Sequence, residues 1–136
     1  MEVVGMADID LQKMLMDIID TYGKNEGYAI PTISWSKDNM LSRYGEFQFW
    51  HNHIIVSNMM NTDKISVGAI QSVIFHEYTH QMYKNHNKKF DARMKLFPDY
   101  NKYNKELEDY FNSIQEVPDA QKTDILLDAS DELVIC

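Results

Sequence analysis

With 136 residues and a hydrophobic fraction of 44%, the chain is sized for one domain with a genuine core and is too apolar for a disordered polypeptide. One cysteine, Cys136, rules out a disulfide within the chain and any zinc ribbon built on paired cysteines, so a metal site must draw on His, Asp or Glu. The net charge of −8 arises at the C-terminal end: residues 1–105 carry twelve acids and twelve bases, whereas residues 106–136 carry nine acids and one base, Lys122.

Residues 8–22 predict a first helix, with Asp8 as cap, Leu11, Leu15, Ile18, Ile19 and Tyr22 at helical spacing, and Gly23 as stop. After a turn framed by Gly27 and Pro31, residues 32–36 alternate as a half-buried strand does. Two further strands are expected at 44–49 and 53–57. The short connection Trp50-His51-Asn52 makes them a hairpin, because Asn tolerates positive φ. Asn61-Thr62-Asp63 supplies capping residues for a long helix to about Lys84, apolar over a wide arc and therefore buried on most sides. Helices are expected at 87–97, ended by Pro98, and at 101–116, ended before Pro118. Leu133–Ile135 reads as a short strand or as a loose tail.

These elements give an α+β domain over residues 1–116, with an N-terminal helix, a short antiparallel sheet with a hairpin, a buried central helix and C-terminal helices. Residues 117–136 form an acidic tail or added strand. No apolar run approaches the roughly 18 residues of a membrane span, and Met1–Gly5 lacks the basic start and apolar core of a signal peptide. A soluble, cytoplasmic protein without a membrane partner is expected. Residues 84–105 hold seven bases against Asp91 and Asp99, directly before the acidic end. The stretch reads as solvated helix faces, or as a basic surface for an anionic partner.

The chemistry sits on the central helix, in His76-Glu77-Tyr78-Thr79-His80. Helical residues turn by about 100° each, so His76 and His80 differ by about 40° and one turn of rise. Both imidazoles can reach one metal ion. Glu77 lies about 100° from His76, on the flank of the same face. Zinc lowers the pKa of a bound water towards neutrality, and the carboxylate takes its proton as it attacks a carbonyl. The alternative, two ordinary helix histidines and a surface Glu, predicts an exposed polar face. Here Glu77 lies among Ile, Val and Phe, where an uncompensated charge is costly.

A catalytic zinc takes three protein ligands and keeps an open position. His86 is one candidate for the third. A continued helix would carry it about 120° away from His80, so the helix must end first, and Asn85-His86-Asn87 suits a left-handed cap. Glu106 and Glu108 on the downstream helix are the other candidates, Glu106 being the better placed between Tyr103, Leu107 and Tyr110. His51 and His53, at the hairpin, read as surface residues.

The segment from His76 to Phe90, with Asn85-His86 five residues after the motif and Phe90 a turn later, resembles the active-site stretch of SprT-like zinc metallopeptidases, especially the YgjP-like ones. Pro98-Asp99-Tyr100 is similar to a further family element that closes the next helix. The resemblance covers about residues 30–110 and implies a zincin-like fold. It further implies a zinc site of His76, His80 and His86, with Glu77 as general base and later acid. It also implies a strand edge that binds an extended peptide. The His spacing equals that of metzincins, but Tyr83 stands where those place a Gly.

Three functions compete on the sequence: a zinc metallopeptidase acting on peptides or proteins, a catalytically silent metal-stabilised binding module, and a nucleic-acid-associated adaptor using the bases of 84–105. The last predicts strongly salt-dependent binding.

Overall fold

The computed structural model of the chain describes residues 10–23, 29–114 and 134–135. Helix α1 spans Leu11–Ile18 and buries Leu11, Leu15 and Ile18. Its cap is Asp10, whose carboxylate accepts the Lys13 amide at 3.0 Å; the expected cap Asp8 lies outside the described residues. The helix then widens into a π turn over Ile19–Gly23.

Three short strands follow: β1 (Thr32–Trp35), β2 (Gly45–Gln48) and β3 (His53–Val56). A fourth, β4 (Val134–Ile135), lies within the last apolar run, of which Leu133 is outside the described residues. The sheet order is β1-β3-β2-β4. The α+β expectation holds, with a correction to the sheet: it is mixed. The chain leaves β1, crosses to β2, and returns through the hairpin, so β3 is inserted between them and runs parallel to β1. Both neighbours of β2 are antiparallel to it. The hairpin turns through Phe49–His51 and closes on Asn52, which takes the left-handed conformation its residue type permits (φ 49°). Phe47, Ile54 and Val56 point into the core, while Thr32, Ser34 and His53 share the other face, the imidazole hydrogen-bonding both hydroxyls.

Helix α2 spans Val67–Thr79 and is buried on most sides, through Ile70, Val73, Ile74, Phe75 and Tyr78 among others. Phe75 packs between the rings of Tyr22 and Phe97, with centroids 4.9 and 5.5 Å away. Burying a side chain of this size stabilises the fold by about 1.5–3 kcal/mol. The helix starts later than the capping residues Asn61-Thr62-Asp63 suggest. Ser66 caps it, accepting the Ala69 amide, and Glu106 accepts the Ser66 amide and hydroxyl at 2.7 Å each. Helices α3 (Lys88–Met94) and α4 (Tyr100–Ile114) pack onto α2. At Gly68 an added Cβ would collide with the Tyr103 ring, so glycine lets α4 lie close. Of the bases in 84–105, Lys84, Lys88, Lys89, Lys95, Lys102 and Lys105 are exposed. Arg93 is half-buried and donates to the Tyr22 carbonyl.

Candidate active site

Helix α2 stops at Thr79, and His80 is its C-cap. The amides of Met82 and Tyr83 both turn back to the Thr79 carbonyl at 3.0 Å. This tight turn ends the helix earlier than the sequence pattern indicates and sends the chain back along the end of α2. Asn87 then caps α3, its side chain accepting the Phe90 amide at 2.9 Å. The two turns bring His86 to the face that carries His76 and His80.

One candidate ligand atom from each of His76, His80 and His86 lies within 4.8 Å of the others. His80 is fully buried, His76 half-buried and His86 exposed, so the cluster reaches from the interior to solvent. The Nε2 atoms of His80 and His86 are 3.1 Å apart. Two imidazole nitrogens on one tetrahedral zinc stand roughly 3.3 Å apart, given zinc–nitrogen distances near 2.0–2.1 Å. His80 Nδ1 faces the Tyr83 carbonyl at 3.0 Å. A carbonyl only accepts, so Nδ1 carries the proton and Nε2 presents its lone pair towards His86. Such a backbone partner is the arrangement that fixes the tautomer of a metal-binding histidine. The donor set therefore fits a small divalent cation.

Phe90 serves all three imidazoles. Its ring centroid lies 4.8 Å from that of His76 and 4.7 Å from those of His80 and His86. It is 2% exposed, a rigid floor under the cluster. The sequence marks Phe90 only through the family pattern; its role under the rings depends on turn geometry.

Glu77 is 2% exposed, and its Oε1 has no hydrogen-bond partner among the described residues. Burial, and then the nearby Glu46 carboxylate, hold its pKa well above the ordinary 4.5; Arg43 opposes them. Arg43 itself donates to Glu46 at 2.6 Å. Gly45 of β2 lies against Glu77, where a Cβ would stand 3.3 Å from Glu77 Cγ and 2.8 Å from the Ile55 carbonyl oxygen. A cavity of about 310 Å³ opens beside His76 and Glu77, and Tyr100 lines it. Burial first, then the charges of Asp91 and Glu77, raise the Tyr100 phenol, so it stays a hydrogen-bond donor. Tyr100 follows Asp99, whose φ of 60° is uncommon for a residue other than glycine.

The structure thus gathers His76, Glu77, His80 and His86 towards one end of α2. Glu106 is occupied at the opposite end of α2, holding Ser66, and Glu108 is exposed on the rim of the cavity. His51 is exposed, and His53 is engaged by Thr32 and Ser34. Among the described residues, no helix is long and apolar enough to cross a membrane.

Neither curated proteins nor solved structures yield a match to the chain. A model of the YgjP-like metallopeptidase domain, however, matches residues 10–110, which contain the whole His76–His86 cluster, Glu77 and the three strands in front of them. The chain belongs to the YgjP-like metallopeptidase family.

Proposed function

We propose that this metallopeptidase is a zinc enzyme in which His76, His80 and His86 hold the ion and Glu77 is the general base. The observation that carries the reading is the convergence of three imidazoles beside a buried carboxylate whose Oε1 lacks a hydrogen-bond partner among the described residues. When bound, the cation supplies a Lewis acid that acidifies water and polarises a carbonyl, and a positive charge that favours ionised Glu77. Glu77 takes the proton of the attacking water and later delivers it to the leaving amine. The Tyr100 phenol, on the same cavity, donates to the carbonyl oxygen as charge develops there. The substrate is a peptide or an unfolded protein, cleaved in the cytoplasm.

Replacing Glu77 by Gln tests this. Cleavage of peptides should fall by about 10²–10⁴-fold, the usual worth of a general base, while one zinc per chain stays bound. Undiminished cleavage removes Glu77 from its role. A zinc-loaded native protein that cleaves nothing across varied substrates establishes a silent binding module instead.

A further inference from the structure

The cavity that holds Glu77 and Tyr100 also has an apolar side, which the proposed chemistry does not use. Its walls and floor come from Tyr44, Val73, Leu107 and Phe111. Val73, Leu107 and Phe111 are nearly fully buried, and the Tyr44 and Phe111 rings are in contact with centroids 4.8 Å apart. Of the polar groups on the cavity, the Ser72 hydroxyl donates to the Ala69 carbonyl at 2.7 Å, while Glu77 Oε1 and Arg43 Nε are buried without a hydrogen-bond partner among the described residues. Asn104 and Glu108, which also line it, are exposed on α4, and Arg43 is turned towards Glu46. Gly45 of β2 also lines the cavity, and an added Cβ there would crowd the Ile55 carbonyl oxygen at 2.8 Å and Val73 at 3.2 Å. At about 310 Å³ it stands at the small end of ligand pockets, a volume suited to one large side chain rather than a cofactor.

We propose that this cavity selects the substrate: it receives a large apolar side chain, such as Phe, Leu or Met, from one of the two residues flanking the cleaved bond. The inference rests on the peptidase reading. A small residue leaves the floor without contacts. An Asp or Glu side chain places its charge beside the Glu77 and Glu108 carboxylates, which line the same cavity, and like charges there oppose each other. The expected order is Phe and Leu above Ala, and Ala above Asp. Filling a hydrophobic pocket discriminates by about 10–200-fold per methylene-sized change, so Phe over Ala should exceed about tenfold.

The experiment uses the full chain, loaded with zinc, and fluorescent peptides identical except for the residue on one side of a mapped cut. Turnover by the native protein and binding by the Glu77→Gln variant are both measured. A Phe-over-Ala ratio above about tenfold, compressed towards one in Asn104→Trp, supports the pocket; Asn104 is exposed at the mouth, so the variant should fold. Cleavage indifferent to the residue on either side of the cut, or a ratio that Asn104→Trp leaves unchanged, overturns the pocket while the peptidase reading stands. Binding ranked Phe over Ala and compressed by Asn104→Trp, without turnover of any peptide, keeps the pocket and overturns the peptidase reading instead. Binding without rank and without turnover overturns both.

Discussion

Burial and then the Glu46 carboxylate favour the protonated form of Glu77 in the interior of the metal-free protein. The consequence for stability has a definite sign. Between the ordinary carboxyl value of 4.5 and the raised one, the folded state keeps a proton that the unfolded chain has released. Stability of the metal-free protein therefore falls as pH rises through that window. Urea titrations at a series of pH values should show this decline, and Glu77→Gln should flatten it. An equal slope in the variant assigns the effect to other groups. At this scale the spacing of His76, Glu77 and His80 was legible, since it follows from helix geometry alone. The roles of the Tyr83 carbonyl and the Phe90 ring were not: both depend on turns that place residues three and ten positions from His80 against the same imidazole.

Elements position these side chains by how closely they approach one another. Strand β2 lies against α2 at Gly45, and Ala at this position meets the Ile55 carbonyl oxygen at 2.8 Å and Val73 at 3.2 Å. Gly45→Ala should cost about 1–3 kcal/mol, as overpacking does, read from the denaturation midpoint, and should lower turnover by displacing Glu77. The turn from His80 to Asn87 has a different sensitivity. His86 is exposed, so His86→Ala should leave the fold and the denaturation midpoint of the metal-free protein unchanged. Zinc affinity should fall by more than the roughly 10–100-fold typical of losing an outer partner, as measured by competition with a chelator. Unchanged affinity returns the third position to another group. The existence of α2 was readable from its apolar arc, but its ends were not. Its start is fixed by Glu106, forty residues away in sequence, and its end by a turn closing on Thr79.

Across the whole molecule, the sheet presents a second use for β2. Its inner neighbour is β3, and its outer edge pairs with β4 at Phe47 and Gln48. An extended peptide adding to that edge meets the chain's own residues 134–135 there. Truncation after Glu116 should remove this pairing and raise the rate of peptide cleavage; an unchanged rate shows that the edge is not limiting. The same variant tests whether 1–116 is the folding unit, through its cooperative denaturation. Alternation made β1 legible, and two apolar runs joined by the short connection Trp50-His51-Asn52 made β2 and β3 legible. The parallel pairing of β1 with β3 was not, because strand order is set by long-range packing rather than local pattern. One feature of the site sets how a bound ion and the fold would depend on each other. The three imidazoles belong to the unbroken stretch 76–86. An ion held there closes a very small ring, unlike a staple that ties remote parts of a chain and removes much entropy from the unfolded state. Stripping such an ion should loosen one bend after α2 and leave the strands and the rest of the core intact, as an unchanged far-ultraviolet circular dichroism spectrum would report.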